Sequence, residues 1–195
     1  MDTQNLDIYF LRHGQTEWNV SKRVQGRLDS KLTEKGEHQA YLQSMVLSQR
    51  SDTSLRQVFC SPLGRTRQTA DILLKNNDLK IKFDNRLVEI SVGEWEGALQ
   101  SDLKKNHPKL FITEPSFLSL YGAAPNGEGY ESLKERCIDF LCSIKQPSIV
   151  ISHGVIMTVF RGILLDLDYH EMEKWNQPQG KVIHIKNNSE TVYSL

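Results

Sequence analysis

Little in this sequence is extreme, and each thing it lacks removes a class of function. Neither sign of charge dominates: 24 Lys plus Arg stand against 24 Asp plus Glu in 195 residues. Nucleic-acid-binding proteins ordinarily carry a basic excess, so nucleic acid is not an expected partner and any working positive charge has to be concentrated. Three cysteines, Cys60, Cys137 and Cys142, make an odd count and lie at no metal-ligand spacing. They read as reduced thiols of a cytoplasmic protein. The opening MDTQNLDIYFLR is acidic with a short apolar run, which does not read as a secretory leader. No apolar stretch approaches the ~18–20 residues of a spanning helix, so a membrane is not an expected partner either. Repeats and low-complexity tracts are absent.

What is present is ordinary for a globular domain: 38% hydrophobic and 25% charged residues. Ile8 to Leu11, Val58 to Cys60, Ile81 to Phe83 and Ser148 to Ser152 read as short buried strands. Val182 to Ile185 and Thr191 to Tyr193 read as late strands, joined by a hairpin through Asn187-Asn188. A helix is expected from Thr33, with Thr33 as its cap. Another is expected after Ser61-Pro62, with Ser61 as cap and Pro62 at the first helical position. Ile156, Val159, Phe160 and Ile163 mark one face of a buried helix. This alternation argues for an α/β domain with a largely parallel sheet. The stretch 98–129 is different, being polar with Pro108, Pro115 and Pro125. It reads as a cap-like insertion over one end of the sheet, within a single domain spanning 1–195.

Polar residues of one chemical kind close three of these strands: Arg12-His13-Gly14, Ser61 to Arg65, and Ser152-His153-Gly154. Ligands of open α/β sheets bind at the carboxyl ends of the strands, so these segments should converge. Two arginines and two histidines at one point make a cationic pocket, which helix N-termini reinforce. Phosphate suits it best, because planar guanidiniums match its oxygens in pairs. Neighbours along a strand face opposite ways, so Arg12 and His13 can share a ligand only where the chain turns, which Gly14 would permit.

FLRHGQTEWN (Phe10 to Asn19) resembles the signature of the histidine phosphatase superfamily, the phosphoglycerate mutase-like family. VQGRLDSKLTEKG, CSPLGRTRQTA, RLVEISVGEWEG, PNGEGYESL and VISHG then resemble its further segments, in the family's order. The resemblance implies a three-layer sandwich with a mostly parallel central sheet flanked by helices. It implies a metal-independent phosphomonoesterase of the histidine acid phosphatase type, with no cofactor, acting on a small phosphorylated metabolite. Carried over residue by residue, His13 is the nucleophile that becomes phosphohistidine. Arg12, Arg65, His153 and Gly154 hold the phosphoryl group, Asn19 adds a phosphate contact, and Gln25-Gly26 form the neighbouring loop. Glu89 protonates the leaving alkoxide and then assists water. Imidazole attacks only when neutral, so His13 needs its other nitrogen held as a donor, most simply to a carbonyl. Glu89 would need burial and the nearby phosphate to keep it protonated.

Several neighbours compete for these roles. Spacing does not choose between Arg65 and Arg67; the family pattern picks Arg65. Glu94, Glu96 and Glu128 compete with Glu89, and Glu128 is a candidate for the pocket mouth. Trp18, Trp95 and Trp175 are read as packing residues. Lys104, Lys105, His107 and Lys109 are read as a solvated run. Cys60 is not placed for a cysteine-phosphatase loop, since Arg65 lies too close and Arg67 too far, and Pro62 removes an amide such a loop needs. Asp166 and Asp168 follow a helix rather than a strand, unlike an aspartate-based site. Compared with the family's mutases, the chain lacks further basic residues after EISVGEWEG and ends soon after His153. A phosphatase is therefore expected, with a mutase or a non-catalytic phosphate-ester sensor as alternatives. A homodimer is left open.

Overall fold

The computed structural model describes residues 6–53, 56–75, 79–114, 116–175 and 177–195. The first five residues of the N-terminal segment and Pro115 therefore lie outside the described residues. In chain order the elements are β1 (Asp7–Arg12), α1 (Glu17–Val20), α2 (Glu34–Ser48), β2 (Gln57–Cys60), α3 (Gly64–Leu73) and β3 (Ile81–Phe83). After them come α4 (Gln100–Asn106), α5 (Leu110–Thr113), α6 (Phe117–Gly122) and α7 (Tyr130–Ser143). The chain closes with β4 (Ser148–Ser152), α8 (Gly154–Leu165), α9 (Tyr169–Glu173), β5 (Val182–Lys186) and β6 (Ser189–Tyr193).

Among the described residues six strands form one sheet, in the order β3-β2-β4-β1-β5-β6. The first four run parallel, and the β5–β6 hairpin adds antiparallel to β1. Asn187 and Asn188 both take positive φ at the hairpin, which asparagine tolerates and a tight two-residue turn requires. Side chains of the central strands alternate between two cores. Ile8, Phe10 and Val150 join the apolar faces of α7 and α8, while Tyr9, Leu11, Ile149 and Ile151 pack with α2 and α3. Burial on both faces explains why β1 and β4 are apolar runs without alternation.

Thr33 caps α2 as the sequence suggests, accepting a bond from the Gly36 N–H at 3.1 Å. Ser61 does not cap α3. That helix starts at Gly64, and Asp29 serves its first N–H groups instead, at 2.6 Å to Gly64 and 3.2 Å to Arg65. The described residues of stretch 98–129 include the short helices α4, α5 and α6, with Leu103, Leu118 and Leu120 buried against the α7–α8 core. Among the described residues, no helix is long and apolar enough to cross a membrane.

Candidate active site

β2, β4 and β1 lie side by side, and the first residues beyond their ends are Ser61, His153 and His13. Here the chain opens a cavity of about 590 Å³. Arg12, His13, Asn19, Gln25, Gly26, Arg65, Glu89 and Gly154, all singled out from the sequence, line it. His153 is fully buried, with its ring 5.3 Å from that of His13. Arg12 and His13 do share the cavity. Gly14 matters less for turning than for closeness: a Cβ there would lie 2.1 Å from the Gly36 carbonyl oxygen, so the loop after β1 presses on the start of α2.

His13 is 3% exposed, and its Nδ1 lies 2.7 Å from the Gly14 carbonyl oxygen. A carbonyl only accepts, so Nδ1 carries the proton and Nε2 keeps its lone pair in the neutral ring. Burial, followed by the charges of Arg65 and Arg12, holds the imidazole well below its usual pKa, so it is neutral at ordinary pH.

Arg65, 1% exposed, is fixed from one side. Nη1 donates to the Leu28 carbonyl at 2.7 Å and to Asp29 at 2.9 Å, and Nη2 donates to the Gly26 carbonyl at 2.8 Å. Its Nε is buried without a partner. Arg12 repeats the pattern: Nη1 donates to the Gln177 carbonyl at 2.6 Å, and Nε has no partner. Backbone oxygens thus orient two guanidiniums and leave donors unused on each. Burial pulls both below the ordinary guanidinium pKa, with the nearby charge of Glu89 opposing it; arginine remains charged regardless.

Glu89, 8% exposed, stands at the N-terminus of α8. Its Oε1 accepts from the Ile90 and Ile156 N–H groups and its Oε2 from Val155, each at 3.0 Å. All three contacts are N–H donors, two of them in the first turn of α8.

The chain matches the Histidine phosphatase superfamily (branch 1) over residues 8–193. It belongs to that superfamily. A relative from Photorhabdus laumondii subsp. laumondii, named probable phosphoglycerate mutase GpmB, is 34% identical over 174 residues, covering 85% of this chain and 77% of the relative. Among solved structures, Bacillus stearothermophilus YhfR superposes with a TM-score of 0.82 at 28% identity, covering 97% of this chain and 96% of that one. The α-ribazole phosphatase from Shigella flexneri superposes with a TM-score of 0.78 at 25% identity, covering 97% and 95%. These likenesses support a phosphatase or mutase and do not single out the acid-phosphatase type.

In this member of the superfamily the competing residues sort out by contact. Arg67 is exposed, donates to the Pro62 carbonyl and lies over Phe83, away from the cavity. Glu128 is not among the residues that line the cavity; it pairs with Arg136 at 2.7 Å and Arg27 at 3.3 Å. Glu94 accepts from Asn126, and Glu96 bonds to the Arg27 N–H and supports the Gly26 turn. Cys60 is buried, and burial pushes its thiol up to about 12, which suits an inert core residue.

Other residues escaped the sequence reading. Trp95 is buried, but Trp18 and Trp175 line the cavity, contrary to the reading of all three as packing residues. Tyr121 of α6 reaches the same cavity, bonds to Gln100 and lies near Glu89 and Arg12; burial pushes its hydroxyl up to about 12. Gln177 is 3% exposed, lines the cavity, and has neither amide atom partnered. Asp29 sits inside a segment that carries the resemblance. Nothing local marks it, because its partners lie more than thirty residues downstream.

Proposed function

We propose that this chain hydrolyses small-molecule phosphate monoesters through a phosphohistidine on His13. The observation that carries the reading is the 2.7 Å contact from His13 Nδ1 to the Gly14 carbonyl, which leaves Nε2 unprotonated in a cavity lined by two guanidiniums. Nε2 attacks phosphorus; the P–N bond forms as the bond to the ester oxygen breaks. The departing alkoxide takes a proton from Glu89. Arg12 and Arg65 hold the phosphoryl oxygens with the donors their backbone contacts leave unused. Asn19, the Gln25-Gly26 loop, His153 and Gly154 complete the grip. Water then attacks the phosphohistidine and gives a proton to the Glu89 carboxylate. The P–N electron pair returns to Nε2, and inorganic phosphate leaves. Phosphoryl transfer asks mainly for positioning and charge stabilisation, which fixed donors supply.

The cavity volume suits a small phosphorylated metabolite. The scheme asks nothing of a metal. Free thiols at Cys60, Cys137 and Cys142 suit the reducing cytoplasm we assign to it. The second reading is mutase-type transfer, favoured by the relatives named probable phosphoglycerate mutases. Transfer of label between phosphoglycerates separates the two.

The direct test is p-nitrophenyl phosphate in excess chelator. Sustained turnover is expected, falling about 10⁴-fold or more in His13→Ala, with acid-labile phosphate trapped on His13 by rapid quench. Parental turnover in His13→Ala defeats the reading, and tight binding without turnover replaces it with a sensor.

A further inference from the structure

The two histidine rings lie 5.3 Å apart, His13 lining the cavity and His153 fully buried beside it, yet His153 has no carbonyl to fix its proton. Its Nε2 lies 2.7 Å from Ser61 Oγ, and its Nδ1 is buried without a partner. Either nitrogen of a neutral imidazole can carry the proton, so the partner must decide. Burial, the charge of Arg65, and then His13 and Arg12 hold this ring well below its usual pKa, so it offers one N–H.

Ser61 is fully buried. Its Oγ accepts from the Leu63 N–H at 3.4 Å, and among the described residues the one acceptor within reach of its hydroxyl proton is His153 Nε2. Were Nε2 protonated instead, the serine proton would have nowhere to go, an unmade buried bond costing about 10-fold or more in the equilibrium. The arrangement that pairs the serine proton has Ser61 O–H donating to Nε2 and the ring proton on Nδ1, whose N–H is then the one group left for a ligand.

We propose that Ser61 is a positioning residue that locks His153 in the Nδ1–H form and so turns a donor, rather than a lone pair, toward the phosphoryl group. His13 and His153 then share one tautomer with opposite uses. In His13 the Nδ1 proton is tied to a carbonyl and Nε2 is the free nucleophile. In His153 the nitrogen Nε2 is tied to a hydroxyl and the Nδ1 proton is free. The lone pair of the wrong tautomer would repel the phosphoryl oxygens. This role rests on the phosphoryl-transfer reading, but the tautomer can be read without turnover.

Long-range proton–nitrogen correlation NMR of ¹⁵N-histidine-labelled protein reports the tautomer of each ring. The expected spectrum has both rings as Nδ1–H. In Ser61→Ala the His153 signal should move toward Nε2–H while His13 keeps its Nδ1–H pattern, which certifies that the floor is still folded. Turnover of p-nitrophenyl phosphate should fall about 10²-fold, as for loss of one fixed donor, and recover in Ser61→Thr. A wild-type His153 found as Nε2–H, or a Ser61→Ala protein retaining both tautomer and rate, overturns the proposal. A wild-type protein with no turnover but His153 as Nδ1–H defeats the hydrolase reading and leaves the Ser61 lock standing.

Discussion

The floor of the cavity and its walls are built by different rules. On the floor the key side chains are tied to main chain: His13 to the Gly14 carbonyl, Arg65 to the Gly26 and Leu28 carbonyls, Glu89 to three N–H groups. The walls come from α1, the 98–129 stretch and the segment after α9, which bring Trp18, Phe117, Tyr121, Trp175 and Gln177. Phe117 is 59% exposed, and a side-chain bond from Ser116 to Glu173 at 3.0 Å joins α6 to α9. Main-chain anchors fix a group to the tolerance that chemistry needs, whereas side-chain walls can vary with the alcohol they receive. In the proposed mechanism the floor therefore serves both chemical steps, and the walls serve only the step in which the alcohol is present.

The strongest way to break that contrast is Arg65→Lys. An ammonium keeps the charge but cannot make the fork of contacts to Leu28, Asp29 and Gly26 while presenting a planar edge to phosphate. We expect kcat/KM to fall about 10²–10³-fold on every ester tried. A loss confined to some substrates would move Arg65 from floor to wall.

Next in size is a pH effect on stability. His13 and His153 are buried and neutral, with folded pKa values lowered below the unfolded value near 6.5. Below that pH the unfolded chain binds more protons than the folded one, so stability is full above about 6.5 and declines as pH falls. Each ring can contribute a slope of about 1.4 kcal/mol per pH unit. Asp7, also held low by its partners, acts in the same direction but in the range below its ordinary value of 3.8. Urea unfolding between pH 4.5 and 6.5 should therefore show a steep decline that flattens in a His13→Asn/His153→Asn double variant. Equal slopes would mean the floor histidines titrate freely.

How far the sequence could be read follows the same division. Apolar runs closed by Arg12-His13, Ser61 and Ser152-His153 made the parallel strands and the floor legible, because strand ends and their polar residues are contiguous in the chain. The hairpin was legible from Asn187-Asn188 for the same reason. The start of α3 was misjudged because its cap, Asp29, arrives from a distant loop, freeing Ser61 for His153. Trp18 and Trp175 were misjudged because an aromatic residue in a core and one on a pocket wall have the same local sequence signal. Gln177 carries no pattern at all; its carbonyl meets Arg12, which is 165 residues away in the chain.

The smallest expected effect is the one that most sharpens the comparison. Trp175 lines the cavity, with the Arg161 guanidinium 4.0 Å from its ring centroid. Trp175→Ala removes apolar wall that a leaving group would touch, so kcat/KM should change by about tenfold between bulky and small esters. Once the alcohol has left, that wall faces only water and phosphohistidine. Single-turnover quenching should thus find the rate of phosphoenzyme formation altered and its hydrolysis within about twofold of the parent, whereas Arg65→Lys slows both. If Trp175→Ala retards hydrolysis as much as formation, wall and floor are one mechanical unit.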